Sequence, residues 1–399
     1  MRSAFVSVAL LTAACSASSD VPIATVADSA GIRIVTNPPG LLAAVPTWEV
    51  GSAPAMELTS PDDGAFTLFR VGDVVPLPDG RIAVLNTGQR QVLVFGTSGA
   101  LSVILGREGD GPGEFRRPSA VVAMAGDSVG VYDGGQRRLS VFDPGGVLRR
   151  DVSFRGLRSA NGYQELHGLQ DRSLLLGDHE GFGEHRGVFR EAVDVWRVSK
   201  AGRMEDLLGT FPGWEHFAGQ YGHAVAGQVT FGAGFCLASV ETGFVVGTTD
   251  KPELQLHDAS GALTGLVRWP DHDRVVTEER FDSFASAALA AIPEEARAQA
   301  RKTLDAIPRA EREPAYQTIL ADDAGRLWVG AYAGASAAFP GTRPPERGWM
   351  IFDADGALAA RATTPGGFRA TAVRGGRLYG IFIDELGVES VRVYPVRGM

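Results

Sequence analysis

Five histidines fall within one stretch of the 399-residue chain: His167, His179, His185, His216 and His223. Acids accompany them in Asp178-His179-Glu180, in Glu184-His185 and in Trp214-Glu215-His216, with Tyr221 just before His223. Imidazole and carboxylate together suit Zn²⁺ or a similar ion. His179, His185, His216 and His223 are therefore candidate metal ligands. No pair has the His-x-x-x-His spacing that sets two ligands on one helix face, and solvated or hydrogen-bonded loop histidines are the plainer reading. No Gly-x-Ser-x-Gly nucleophile motif occurs. Glu108, Asp110 and Glu114 sit among Gly109, Gly111 and Gly113, but no Lys-Ser/Thr follows, so this is not a phosphate loop.

The elements that must position these groups repeat along the chain. From about residue 65 a polar turn precedes a β-rich run, a gap, and a second run ending in an aromatic. Pro78-Asp79-Gly80, Arg81 to Asn86 and Gln91 to Phe95 show it first; Gly126-Asp127, Ser128 to Asp133 and Leu139 to Phe142 show it again. Related runs start near Arg172, Gly243, Gly325 and Gly376. Branched and aromatic residues fill the pleats, and Gly, Asp and Pro make the turns. Each unit buries little alone, so the units must stack around an axis.

Gly106 to Phe142 carries Gly109, Gly111, Gly113, Phe115 and Pro118, then Val131-Tyr132-Asp133 and Val141-Phe142. Leu85 to Phe95 matches with Asn86 in place of Asp. This pattern resembles the NHL repeat family. The resemblance is strong over roughly the first quarter of the mature chain and weaker after it. It implies an all-β fold, a six-bladed β-propeller over residues 31–399. Gly31 to Thr36 is expected to close it as an N-terminal strand on the sixth blade, covering an exposed edge. Between blades four and five, Phe281, Phe284, Ala285, Ala288, Leu289 and Ile292 form a helical stripe, and Pro293 starts a second helix. This predicts a helical insertion over 278–307.

Strand order in such a fold puts the short turns on one face. The longer connections (106–117, 179–192, 212–227, 270–313 and 332–348) fall on the other. Function concentrates on long loops held by a rigid scaffold. The innermost strands begin on that face, near Arg70, Arg117, His167, Tyr316 and Arg369. These five are the candidate ligand-binding residues, and Arg and Tyr suit carboxylate or phosphate. The competing reading pairs each Arg with a nearby acid.

The N-terminus reads as an export signal. Arg2 precedes an apolar run, Ala4 to Ala14, that is too short to span a bilayer. Thr12-Ala13-Ala14-Cys15 and the polar segment after it resemble a bacterial lipobox, with Thr12 where Leu is usual. The expected organisation is a signal peptide over 1–14, lipidation at Cys15, and a linker over 15–30. Lipid on Cys15 leaves Cys236 a lone thiol. The expected place is an outer-membrane lipoprotein facing the periplasm, touching the membrane only through its anchor.

Net charge of −9 gives nucleic acid no electrostatic footprint. The leading expectation is a monomeric binding or scaffold protein that takes a protein or a small anionic ligand on its long-loop face, without a cofactor. The alternative is a metal-dependent, lactonase-like hydrolase with its site at the channel mouth. Cys15→Ser should move the protein from the membrane to the soluble fraction of fractionated cells. An unchanged distribution would remove the lipoprotein reading.

Overall fold

The computed structural model describes residues 22–154, 156–157, 164–169, 171, 173–221, 224–290, 292–334 and 343–399. Cys15 and His223 lie outside the described residues. The chain is mostly β, folded into curled antiparallel sheets. The first unit runs Val71–Pro76, Ile82–Asn86, Gln91–Phe95 and Leu101–Leu105; the second runs Pro118–Ala123, Val129–Asp133, Arg138–Phe142 and Leu148–Ser153. The third begins with Gln164–Gly168 and Leu174–His179; the fourth runs Cys236–Val240, Gly243–Gly247, Glu253–Asp258 and Leu263–Arg268. The fifth is Thr318–Ala321, Leu327–Gly330, Arg347–Phe352 and Leu358–Thr364, and the sixth is Phe368–Arg374, Arg377–Ile383 and Glu389–Arg397.

The first strands of these units touch one another in cyclic order, the sixth against the first, and so surround a common axis. Six apolar clusters separate neighbouring units. Strands inside such a stack are covered on both faces. They therefore read as continuous apolar runs, and every residue of Ile82–Asn86 and of Val129–Asp133 is buried.

Turn chemistry explains the tight end of each unit. Asp143 Oδ1 accepts from the N–H groups of Gly145 and Val147. Gly146 adopts φ 84° there. A Cβ at Gly146 would come within 2.5 Å of the Val103 side chain on the neighbouring unit. Both the hand of the turn and the close packing exclude other residues. At the opposite end Asp133 and Asn86 have the backbone-bonding role their position implies. Asp133 Oδ2 accepts from the N–H groups of Arg116 and Arg117. Asn86 Oδ1 accepts from Phe69 N–H at 3.0 Å while its Nδ2 donates to Thr67 O at 2.7 Å.

The N-terminal segment departs from expectation. Ile32–Thr36 does not lie on the sixth unit. It pairs in parallel with Leu263–Arg268 of the fourth, in register Arg33↔Gly265 to Thr36↔Arg268, and Thr25–Ser29 folds back on its outer side. The strand that covers the sixth unit is Met56–Leu58, antiparallel to Glu389–Arg397 through Val391↔Leu58 and Val393↔Met56. Chain length gives the reason. Met56–Leu58 leads in a dozen residues to Val71 at the axis, while Gly31 to Thr36 is too far upstream to enter the first unit from the sixth. Between the two, Thr47–Val50 bridges the fifth and sixth units. Asn37, 1% exposed, pins the crossing. Its Nδ2 donates to the carbonyls of Arg268 and Gly356, and its Oδ1 accepts from Leu358 N–H at 2.7 Å.

A second departure concerns the connections 179–192 and 212–227. They are mostly strand, not loop. Gly187–Val198 and Met204–Tyr221 form one long hairpin that runs past the third sheet, with Ala224–Gln228 beside it. The insertion between the fourth and fifth units holds helices Glu278–Ala290 and Glu294–Ala306. The first buries Phe281, Phe284, Ala285 and Ala288 against Phe231; the second buries no residue fully. No helix among the described residues is long and apolar enough to cross a membrane.

Asn37→Ala should lower the unfolding free energy by about 2 kcal/mol, because a buried N–H and two buried carbonyls lose their partner. A urea midpoint unchanged from the parent would show that the crossing is not pinned there.

Candidate functional site

The first unit's inner strand carries Asp73, the third carries Glu165 and His167, and the sixth carries Arg369 and Thr371. Their side chains meet around the axis. Burial pushes the Asp73 carboxyl up, and Val74 N–H, Arg369 and His167 work against that rise. The Arg369 guanidinium donates to the carbonyls of Val71 at 3.1 Å and Gly72 at 3.3 Å, which holds it across the junction of the sixth and first units.

Arg347 comes to the same region from the start of the third strand of the fifth unit. Its Nη2 donates to Gln317 Oε1 at 2.8 Å. Among the described residues no carboxylate forms an ion pair with it. Burial, together with the neighbouring Arg369 charge, lowers its pKa to about 10. Two guanidiniums that repel each other in a poorly solvated place favour an anion between them. Cys236 lies close by, buried, and its thiol donates to Gln317 O at 3.2 Å. Burial pushes that thiol well up, so it is an inert proton donor rather than a nucleophile.

Of the five candidate ligand residues, the structure brings His167 and Arg369 together beside Asp73. Arg70 is exposed and lies over its neighbour Phe69, with 5.3 Å from guanidinium carbon to ring centroid. Arg117 is exposed near Gly134 O. Tyr316 is fully buried; its hydroxyl donates to Glu253 O and accepts from Thr249 N–H. It is a packing group, because a phenol so placed has no free valence to offer. Arg347 was not singled out in the sequence. The signal for it is an Arg that opens the apolar run Gly348 to Phe352 straight after a Pro-rich loop.

The metal candidates do something else. His179, 2% exposed, donates from Nδ1 to Glu191 Oε1 at 2.7 Å and from Nε2 to Glu165 Oε1 at 3.4 Å. Glu165 Oε2 lies 3.2 Å from His167 Nε2, and Glu191 Oε2 lies 3.3 Å from His216 Nε2. The five side chains form a line from the axis wall, His167, to the extended hairpin, His216. Burial raises the Glu165 carboxyl, but hydrogen bonds from His167 and His179 outweigh it and hold the pKa at about 2. Burial likewise opposes a charge on His179, yet its two carboxylate partners lift it to about 9. Glu191 is held low by His179 and His216 despite its burial. The imidazoles are thus spent on carboxylates rather than aimed at a common centre. His185 stands apart, 3.6 Å from Glu180 and stacked on Phe189 at 4.2 Å. Among the described residues no group of three or more His, Cys, Asp or Glu is placed to hold a metal ion.

Two cavities flank the axis. One, of about 600 Å³, opens toward the short-turn face and includes Asp73, His167, Glu241, Asp323, Thr371 and Arg374 in its wall. The other, of about 250 Å³, lies between the hairpin, the helical insertion and the fourth and fifth units. Trp214, Phe231, Phe284, Leu304, Tyr332 and Gln317 are in its wall.

No family model matches the chain. No curated protein matches it in sequence. Solved structures do resemble it in fold. A member of the DUF4221 family from Bacteroides vulgatus aligns at a TM-score of 0.55 with 12% identity, over 88% of this chain and 99% of that one. A Bacteroides fragilis protein described as exported aligns at 0.48 with 11% identity, over 91% and 99%. The PQQ-bound aldose sugar dehydrogenase of Streptomyces coelicolor aligns at 0.46 with 12% identity, over 88% and 100%. The fold is propeller-like, as the cyclic contacts of the inner strands show.

The charged line makes stability pH-dependent in a defined window. His179 is raised from the ordinary 6.5 to about 9, so its contribution is complete below about pH 6.5 and is lost as pH rises through 9. Glu165 is depressed from 4.5 to about 2, so its contribution is complete above about 4.5 and is lost as pH falls toward 2. Unfolding free energy should fall by on the order of 2 kcal/mol between pH 6.5 and 9. In His179→Gln that fall should be markedly shallower. Equal slopes in parent and variant, from urea titrations at both pH values, would refute the assignment.

Proposed function

We propose that this protein is an exported, lipid-anchored six-bladed β-propeller. It binds a small anionic ligand at the end of its axis where the helical insertion and the long hairpin stand. The observation that carries the binding reading is the pair Arg347 and Arg369: two close guanidiniums, the first half-buried and hydrogen-bonded only to Gln317 among the described residues. Burying the Arg347 cation without a counter-ion among the described residues is costly, and a ligand carboxylate or phosphate relieves that cost through charge-assisted hydrogen bonds. A hydrolase is the second reading. Asp73 and His167, both in the wall of the axial cavity, favour it, since a carboxyl raised by desolvation beside an imidazole suits acid–base chemistry.

The test is thermal denaturation of the purified protein against a panel of carboxylates and phosphates. A ligand at 100 times its Kd adds about 2.7 kcal/mol to folding stability, so a binder raises Tm by several degrees. The parent should respond to at least one anion and the Arg347→Gln/Arg369→Gln variant to none. An equal response in both would overturn the reading.

A further inference from the structure

We infer that the ligand is a carboxylate with a ring-sized apolar body, and that the cavity beneath the helical insertion receives that body. This rests on the reading that Arg347 and Arg369 hold an anion. The cavity and the arginine share one residue. Gln317 stands in the cavity wall, and its Oε1 accepts from both Arg347 Nη2 and Ala333 N–H. With Oε1 filled, its Nε2 has no acceptor among the described residues and is free to donate to a ligand. A free amide donor, with a guanidinium behind it, therefore stands at one end of a mainly apolar hollow. That is the layout of a site for an amphipathic anion: apolar walls supply affinity, and a few polar groups fix orientation.

Size narrows the occupant. About 250 Å³ falls just short of the ~300–1,000 Å³ common for drug-sized ligands, which suits one ring and excludes a peptide or a long acyl chain. Aromatic rings enter the wall from several elements: Trp214 from the hairpin, Phe231 from the segment before the fourth unit, Phe284 from the insertion and Tyr332 from the fifth unit. Phe231 and Phe284 pack with centroids 4.8 Å apart, and Tyr332 lies 6.4 Å from Phe231. Trp214, Leu304, Ile307 and Tyr332 are only half-buried, so the hollow opens to solvent. One side chain, Gln317, separates the cavity from the guanidinium. A linker of two or three atoms between ring and carboxylate spans that gap.

Isothermal titration with 3-phenylpropionate, its neutral amide and acetate tests each half. The parent should bind 3-phenylpropionate, bind the amide at least tenfold more weakly, and show no heat with acetate. Arg347→Gln should bring the acid down to the amide's affinity and leave the amide unchanged. Ile307→Trp, which fills the cavity from its rim, should abolish binding of both; Leu304→Phe serves if that variant does not fold. Acetate binding as tightly as 3-phenylpropionate would overturn the cavity assignment and leave the arginine reading standing. Amide binding as tightly as the acid would overturn the arginine reading and this inference with it. No binding of any probe to the parent at millimolar concentration would overturn the ligand class.

Discussion

An open row of backbone groups on the last sheet is the constraint that organises this molecule. Glu389–Arg397 is the outer strand of the sixth unit unless another segment covers it. Met56–Leu58 does so, and Thr47–Val50 and Ile32–Thr36 continue the cover onto the fifth and fourth units. With that edge satisfied, the sixth unit can pack on the first through Val391, Val393 and Ile381 against Val74, Val84 and Leu93. Only then does an axis exist, and only then do Asp73, His167 and Arg369 face one another. The charge chemistry at the centre is a consequence of hydrogen bonding at the rim.

The apolar stacks isolate a centre of mixed sign in a chain that is acidic overall. His179 carries its charge between two carboxylates because each of its ring nitrogens has a carboxylate in reach. The line His167–Glu165–His179–Glu191–His216 also ties the inner strand of the third unit to the extended hairpin. That hairpin supplies Trp214, so buried ion pairing fixes the placement of one aromatic wall of the smaller cavity. The arginines are differently held. Arg369 is braced by backbone carbonyls, while the Arg347 guanidinium donates among the described residues to Gln317 and to no carboxylate, so it can meet a ligand without first breaking an ion pair there.

Much of the fold was legible in residue types. Asp143 to Gly146 names its own turn, and Asp133 and Asn86 mark strand ends because short polar side chains there must bond backbone. The stripe Phe281, Phe284, Ala285 and Ala288 reads as a helix because its period is helical. Pairing partners were less legible. Ile32–Thr36 looks like any half-buried strand, and nothing in its pattern separates a parallel place on the fourth unit from an antiparallel place on the sixth. The far ends of the hairpin, 187–192 and 212–221, read as loops because their Gly, His and charged residues resemble connections. Its strand character comes from pairing with itself. The site was legible by class and not by residue. Arg and His at inner-strand starts were found, but Arg347 enters from a third strand, and only the packing of neighbouring units brings it to Arg369.

The strap across the outside also sets an order of assembly. Asn37 bonds to Leu358, 321 positions away, and Leu58 lies opposite Val391. The earliest segments to be synthesised therefore find their partners among the last. While the chain is still emerging, Thr25 to Leu58 has no sheet to join, and the middle units must stack without a finished circle. Contacts this distant in sequence are slow to form. The waiting segment is β-rich and carries Val26 and Leu42 exposed even in the finished fold. It passes through a period in which any other unpaired edge is a competing partner.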